Sequence, residues 1–473
     1  MRSNIRLLGV LLVLFLAASS AWPQDQDSGQ SAPTASVPNP GAGESTPQVQ
    51  PDTHPLAGAY LYTLGTAFEG HNYFQPQFSI GEDVTNNASF GTNPQGQWVW
   101  TTLPETSLSL VDASRRNQFS VNYIGGGYIF DNSRLSHLNG VFQSFGLTDS
   151  VQFRRATLSV TDVFSYLPEA AFGFGGIGGL GGIGGIGSSL FSAGGFGQIN
   201  PVLTPNQSIL TTSQNSINNT ALLQVDYALT PRTSVTAFGS YGTLQAGSHA
   251  TGFLNENDVM GSGGLQHALT PRDTIGVSYY YSTFHYVGVP DAFNANAINF
   301  EYGRKITSRL ALQLYGGPEF ISDHTGTFHQ NSVLTSGFGS LTYAAGRNTF
   351  GLSGGRYASG GSGVLAGSDT EMINGSWARQ LTRKWFTSIN GGIARNSELA
   401  VQSGAPSLHY NYGFANISLT RSLGRYVSFY LDYSFQRQLT NSGPCTTSSF
   451  CAASLSRQTI GAGFIFTPRP IGL

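Results

Sequence analysis

Two glycine-bracketed motifs are the places where residue types and spacing could do chemistry. Gly173–Gly178 fits the G-x-G-x-x-G pattern of a dinucleotide loop, and Gly351–Gly355 fits the G-x-S-x-G pattern around a nucleophilic serine. A dinucleotide loop needs a strand before it, a helix after it and an acidic residue further on, and the sequence lacks that order. The serine motif lies inside an alternating strand pattern and not at a strand-to-helix elbow. We therefore predict no catalytic residue, no enzyme activity and no cofactor.

The composition excludes several classes of protein. The chain has 473 residues, of which 10% are charged, 12% are aromatic and 61 are glycine. Soluble proteins average about 25% charged residues. A net charge of -2 argues against a nucleic-acid partner, and the scarcity of Glu, Lys and Met argues against a soluble helical protein. The aromatic content argues against disorder along the whole chain.

The N-terminus predicts export. A basic start, an apolar run over 7–18 and the small residues 19–21 are typical of a signal peptide, which we place at residues 1–21. Residues 22–70 are rich in Pro, Ser and Gly and predict a disordered lead and linker. No later stretch is long and apolar enough for a membrane-spanning helix, so any membrane crossing must use strands.

The cysteines and histidines predict a disulfide and no metal site. Cys445 and Cys451 lie close together in sequence, and an exported chain meets an oxidising compartment, so we expect them to form a disulfide. His324 and His329 flank one loop apex, and two histidines without a third ligand are too few to predict bound metal.

A short motif recurs with the spacing of one β-hairpin. Leu229-Thr230-Pro231-Arg232 reappears 40 residues later as Leu269-Thr270-Pro271-Arg272, and degenerate copies follow at steps of about 37 to 41 residues. The segments on either side alternate apolar and polar residues over about ten positions, as in residues 426–436. Each copy therefore predicts a tight turn between two long strands.

Counting the turns predicts the fold. Eight tight turns, one strand before them and one after them give eighteen antiparallel strands, within a range of 16–18. The turns lie near residues 116, 155, 232, 272, 309, 347, 384 and 425. Long connections are expected at 85–103, 166–217, 287–293, 322–330, 359–368, 397–407 and 439–453. Short turns on one side and long loops on the other are typical of an all-β transmembrane barrel, here over 71–468 with a tail over 469–473. A soluble β-sandwich or propeller is the alternative, but its strands and hairpins would be shorter.

With these features the chain resembles bacterial outer-membrane β-barrel proteins of the porin-like type. The resemblance implies an outer-membrane location, contact with outer-membrane lipid, and short turns on the periplasmic side. It also implies recognition by the barrel-assembly machinery through an aromatic last strand, which Phe464 and Phe466 match, although seven residues follow them. Porins often form trimers, so the resemblance leaves a homotrimer open.

Strand parity and one loop supply the candidate site. By parity the lumen is lined by Asp226, Glu301, Lys305, Glu319, Asp432, Tyr280 and Tyr430. The ionisable members would tune ion selectivity or pair with one another across the lumen. The glycine-rich loop 166–217 carries an apolar row with period three, which would either fold into the lumen and narrow it or stay outside as a disordered loop. The constriction candidates in this row are Gly175, Ile177, Leu180, Ile183 and Ile186.

The sequence thus predicts a channel for passive diffusion of small polar solutes or ions. The alternative is a non-conducting surface barrel, an adhesin or structural protein, that displays its loops. Fold alone does not decide between them.

Overall fold

The computed structural model describes residues 72–86, 98–114, 116–131, 139–167, 209, 216–246, 254–288, 292–323, 330–399, 407–441 and 454–472. Within them one sheet contains eighteen long strands and one two-residue strand. The strands are β1 (Tyr73–Thr85), β2 (Val99–Ala113), β3 (Asn117–Phe130), β4 (Gly140–Gln152), β5 (Ala156–Leu167), β6 (Ser216–Thr230), β7 (Thr233–Ala246), β8 (Glu256–Ala268), β9 (Asp273–Tyr286), β10 (Ala292–Thr307), β11 (Leu310–Asp323), β12 (Gln330–Ala345), β13 (Asn348–Ser359), β14 (Ser368–Gln380), β15 (Trp385–Glu398), β16 (His409–Ser422), β17 (Val427–Thr440), β18 (Leu455–Phe466) and β19 (Ile471–Gly472).

The sheet closes on itself. Every long strand pairs antiparallel with the next one along the chain, and β1 pairs with β2 on one side and β18 on the other. Phe78 of β1, for example, lies opposite Thr106 and Phe466. The ring of strands is thus continuous, although β12 and β13 pair over only part of their length, from the pair Gly337 and Arg356 to the pair Ala345 and Asn348. The prediction of an antiparallel barrel with eighteen strands is confirmed.

Side chains alternate between two faces of the wall. On β17, Tyr430 and Asp432 are buried, whereas Leu431 and Tyr433 are exposed. We call the first set the inward row and the second the outward row. Along the barrel the outward row is largely apolar, which reverses the pattern of a soluble protein. Exposed outward residues include Phe78, Ile80, Trp100, Leu223, Ile275, Phe300, Val333, Ile393 and Phe464.

The recurring turn motif has a common hydrogen bond. The backbone N–H of Arg232 donates to Thr230 Oγ1 over 3.2 Å. The same contact, 3.1 Å long, joins Arg272 to Thr270. The threonine hydroxyl caps the turn two residues before the basic residue, and the same contact joins Thr307 to Arg309 and Thr382 to Lys384. In the turns at 345–347 and 423–425 the basic residue is kept and the threonine is not. We call this end of the barrel the turn end and the opposite end the loop end.

Two loop-end connections escaped the sequence analysis. They join β3 to β4 and β7 to β8. Both connecting segments, residues 131–139 and 247–255, are rich in polar residues, so their composition was already that of a connection between strands.

The C-terminal residues stay attached to the barrel. Phe464 and Phe466 lie on the outward row of β18 and are about half exposed. Beyond them, Ile471 and Gly472 pair with Phe74 and Tyr73 of β1. Part of the predicted tail therefore extends the sheet at the turn end.

Among the described residues, no helix has the length and apolar character needed to cross a membrane.

Candidate functional site

The structure distributes the predicted lumen residues around the barrel and does not bring them into one cluster. Glu301, Glu319, Asp432, Tyr280 and Tyr430 are buried on inward rows. Asp226 and Lys305 occupy inward positions of β6 and β10, and Lys305 lies near the turn end. What these groups do to ions stays a prediction.

An acidic group lies at the closing seam of the barrel. Asp432 of β17 and Asp83 of β1 are both paired in register with Gly461 of the intervening β18. Their carboxylates lie so close to Gly461 that any Cβ there would collide with both. A side chain at this position would therefore force the two carboxylates to move.

Two further charged residues complete this seam group, namely Glu105 and Arg457. Glu105 Oε2 accepts a hydrogen bond from Ser79 Oγ over 2.9 Å, and Arg457 Nε donates to Thr85 Oγ1 over 3.2 Å. Both charged side chains are at most 5% exposed. Sequence reasoning missed Asp83, Glu105 and Arg457, although strand parity, once the strand ends were known, could have placed them inward.

Other inward carboxylates have donors one or two strands away. Glu301 Oε2 accepts from Gln266 Nε2 over 3.0 Å, and Asp226 Oδ1 accepts from Thr236 Oγ1 over 2.7 Å. Glu319 Oε2 accepts from the backbone N–H of Ala358 over 3.2 Å. These bonds hold the carboxylates against the wall.

A loop from the loop end crosses to distant strands. Residues 360–367 join β13 to β14 and include a short 3-10 turn, Gly361–Gly363. We call residues 360–367 the crossing loop. Gly363 O accepts from Leu254 N over 2.9 Å, and Gly360 O accepts from Tyr286 Oη over 3.0 Å. Because β8 lies five strand spacings of about 4.8 Å from β13 along the wall, the loop must cut across the lumen to reach it.

The crossing loop also contacts β16, on the opposite side of β13 from β8 and β9. Leu365 packs in a small buried apolar cluster with Ile209 and Tyr410 of β16. Three glycines of the loop, Gly361, Gly363 and Gly367, have positive φ angles of 81°, 73° and 89°. Positive φ angles lie in the left-handed region of backbone conformation, which glycine adopts more easily than other residues.

Other predicted residues lie outside the described part of the chain. These are Gly175, Ile177, Leu180, Ile183 and Ile186 of the glycine-rich loop, together with Cys445 and Cys451. Within loop 166–217, between the end of β5 and the start of β6, Ile209 alone is described. The role predicted for that loop is thus untested, and the narrowing element that can be described is the crossing loop.

One part of the wall is uncharged and open. Along β13–β16, towards the turn end, most inward side chains are small and polar, and several of them are partly exposed. Ser388 and Ser418, for example, are hydrogen-bonded over 2.6 Å. The set includes Ser353, Asn374, Ser376, Ser388, Asn390 and Ser418. The serine motif Gly351–Gly355 lies in this wall, within β13, with Ser353 bonded to Asn374.

The wall of eighteen strands is closed, its outer face is apolar and its inner face is polar. Such a wall can contact lipid on the outside and water on the inside. The architecture is that of a porin-like outer-membrane barrel. In the described residues, no three His, Cys, Asp or Glu side chains are grouped to hold a metal ion.

Comparisons with known proteins add little. No protein-family model matches the chain, and no curated protein matches it. Among solved structures, the outer membrane protein OpdK of Pseudomonas aeruginosa, with vanillate, has 10% identity and a TM-score of 0.38, covering 84% of this chain and 99% of that one. OpdL of Pseudomonas aeruginosa has 9% identity and a TM-score of 0.41, with coverage of 84% and 99%. Acinetobacter baumannii OccAB3 has 9% identity and a TM-score of 0.40, with the same coverage of 84% and 99%. Similarity this low supports no inference about function.

Proposed function

We propose that this chain is an outer-membrane channel for passive diffusion of small polar solutes and ions, with a preference for cations. The observation that carries the proposal is the open, uncharged, hydrogen-bonding wall of β13–β16 inside a closed barrel of eighteen strands. Barrels of this strand number leave room for an aqueous channel. The turn end then faces the periplasm and the loop end faces outward, as usual for such barrels.

The charge balance of the inward rows supports a cation preference. In the described strands the inward basic residues are Lys305 and Arg457. Inward carboxylates outnumber them, and carboxylates in a pore wall favour cations. They are Asp83, Glu105, Asp226, Glu301, Glu319, Glu398 and Asp432, apart from Glu256 and Asp258, whose side chains are fully buried.

The crossing loop supports a narrowed passage at the loop end. It connects β13 with the region of β8 and β9 on one side and β16 on the other. Solutes would pass between this loop and the uncharged wall. The loop also favours the second candidate, a non-conducting surface barrel, if it occludes the lumen.

The test is electrical. Purified protein is added to a planar bilayer separating unequal concentrations of KCl, with heat-denatured protein from the same preparation as the control. We expect discrete conductance steps and a reversal potential with the sign of cation preference. Folded protein that inserts without conductance would favour the surface barrel, and anion preference would overturn the selectivity proposal.

Small neutral sugars test diffusion of solutes. Liposomes containing the protein should swell at a rate that falls as the sugar grows. Swelling no faster than in protein-free liposomes would contradict solute diffusion even where ions pass.

A further inference from the structure

Two inward carboxylates differ from the rest. Glu256 and Asp258 are the first and third residues of β8, on the same inward row at the loop end, and both are 0% exposed. Within the described residues, they are the carboxylates with both oxygens buried and without a hydrogen-bond partner. The described ion pairs involve neither of them.

Their surroundings offer little to replace water. In register, Asp258 lies between Gly242 of β7 and Phe284 of β9, and Glu256 lies between Leu244 and Tyr286. Phe284 and Leu244 are buried apolar side chains. A buried carboxylate without a donor is costly unless it takes up a proton or a cation.

The crossing loop lies against Glu256, the first carboxylate of this pair. The Glu256 carboxylate lies against Gly360 so closely that a side chain at that position would collide with it, and Asp258 fills the space beside Gly242 in the same way. The backbone of Gly360 thus lies beside the Glu256 carboxylate, and Asp258 is two residues further along the same inward row. The carbonyl oxygen of Gly360 already accepts a hydrogen bond from Tyr286, which leaves its second lone pair for another partner.

A serine hydroxyl also lies near Asp258. Ser240 of β7 is an inward residue, 6% exposed, and among the described residues its Oγ has no hydrogen-bond partner. It lies two residues from Gly242, which is opposite Asp258, and so it is a diagonal neighbour of that carboxylate. Carboxylate, hydroxyl and carbonyl oxygens are the ligands that hard divalent cations take, and Ca²⁺ accepts them in irregular geometry.

We propose that Glu256 and Asp258 bind a divalent cation of the Ca²⁺ type, which links β8 to the crossing loop at Gly360. Water completes the coordination, since two carboxylates and few neutral oxygens are fewer than Ca²⁺ requires. The bound ion neutralises the buried pair and fastens the loop across the lumen. With so few protein ligands the affinity is low, with a dissociation constant on the order of 10⁻⁴ to 10⁻³ M, as in extracellular modules.

The first experiment measures binding of the metal alone. Full-length folded protein in detergent is freed of divalent ions with EDTA, exchanged into metal-free buffer and titrated with CaCl₂ in a calorimeter. We expect one saturable site, and we expect the double variant Glu256→Gln with Asp258→Asn to lose at least about tenfold in affinity. The matched control is Glu301→Gln, because Glu301 is an inward carboxylate with a donor of its own, and it should keep wild-type affinity.

A folded wild-type barrel without saturable Ca²⁺ binding would overturn the proposal, as would a folded double variant that binds like wild type. Folding is checked by the strand signal in circular dichroism. If the double variant does not fold, the single variant Glu256→Gln serves instead. Conductance is not needed, so failure of the channel proposal would leave this result unaffected.

The second experiment tests the link to the loop. Hydrogen exchange of the peptide containing residues 360–367 is followed in Ca²⁺ and in EDTA. Exchange should slow several-fold in Ca²⁺ for wild type and not for the double variant. Binding at Glu256 and Asp258 without any slowing would overturn the fastening role.

Discussion

Asp83 and Asp432 meet over Gly461. They belong to β1 and β17, which lie on either side of β18, and each is in register with this glycine. The carboxylates occupy the space that a side chain at Gly461 would need. Acidic residues from the first and last strands thus form one group, which exists because β1 pairs with β18 and closes the sheet.

Substituting the glycine should weaken the seam. Gly461→Ala forces a methyl group into two carboxylates, so we expect the folded barrel to lose about 1–3 kcal/mol, the usual cost of overpacking. The free energy of unfolding is measured by urea titration in lipid or detergent. Gly263→Ala is the matched control, because a Cβ at Gly263 of β8 meets nothing within 4 Å. Equal losses for the two variants would contradict a steric role of Gly461.

Removing the two seam carboxylates should reduce cation preference. In the double variant Asp83→Asn with Asp432→Asn, the pore wall loses the negative charge that this carboxyl pair shares, and the reversal potential in a KCl gradient should move towards zero. The measurement is made in planar bilayers on single channels.

Glu82→Gln is the control for this effect. Glu82 neighbours Asp83 on β1 but lies on the outward row, where it accepts a hydrogen bond from Thr102 Oγ1 over 2.7 Å. Its substitution should leave the reversal potential unchanged. A shift as large as that of the double variant would mean that overall charge, and not charge inside the lumen, sets selectivity.

The outward row should tolerate a charge according to its depth. Leu431 lies near the middle of β17 and Leu439 near its loop end, both on the outward row. Leu431→Arg should cost roughly 2–4 kcal/mol of unfolding free energy in a bilayer, and Leu439→Arg roughly 0–1 kcal/mol, because the second arginine reaches the interface. Both are measured by denaturant titration in liposomes. Equal losses of unfolding free energy for the two variants would contradict the inference that the outward row faces lipid.

The barrel was predictable because its signals are local. Strand alternation depends on nearest neighbours along the chain, and the capped turns repeat a short motif such as Thr230-Pro231-Arg232. Those two signals were enough for the strand count and for the inward position of Asp432. Glu105 and Asp83 follow the same parity rule, but β1 and β2 lack the turn motif that marked the later strands.

Contacts between distant segments were not predictable. Asp83 and Asp432 are neighbours through ring closure, which no local pattern reports. The crossing loop reaches Leu254 because its path turns inward at glycines, whereas the glycine repeat of residues 166–217 is the more conspicuous pattern in the sequence. Glycine content indicates where a chain can turn sharply, and the packing partners decide in which direction it turns.

The path of the crossing loop should depend on Gly361. Its φ angle is 81°, and a Cβ there would lie 2.8 Å from the Cβ of Leu365. Gly361→Ala adds both backbone strain and a clash, so we expect the loop to leave its position and single-channel conductance to change, most directly to rise. Gly288→Ala is the control for backbone strain. Gly288 lies in the turn after β9 with a φ angle of 87°, and a Cβ added there would meet no other atom within 4 Å. This control carries the same kind of backbone strain away from the crossing loop and should keep wild-type conductance. If both variants conduct like wild type while folding normally, the crossing loop does not limit the passage.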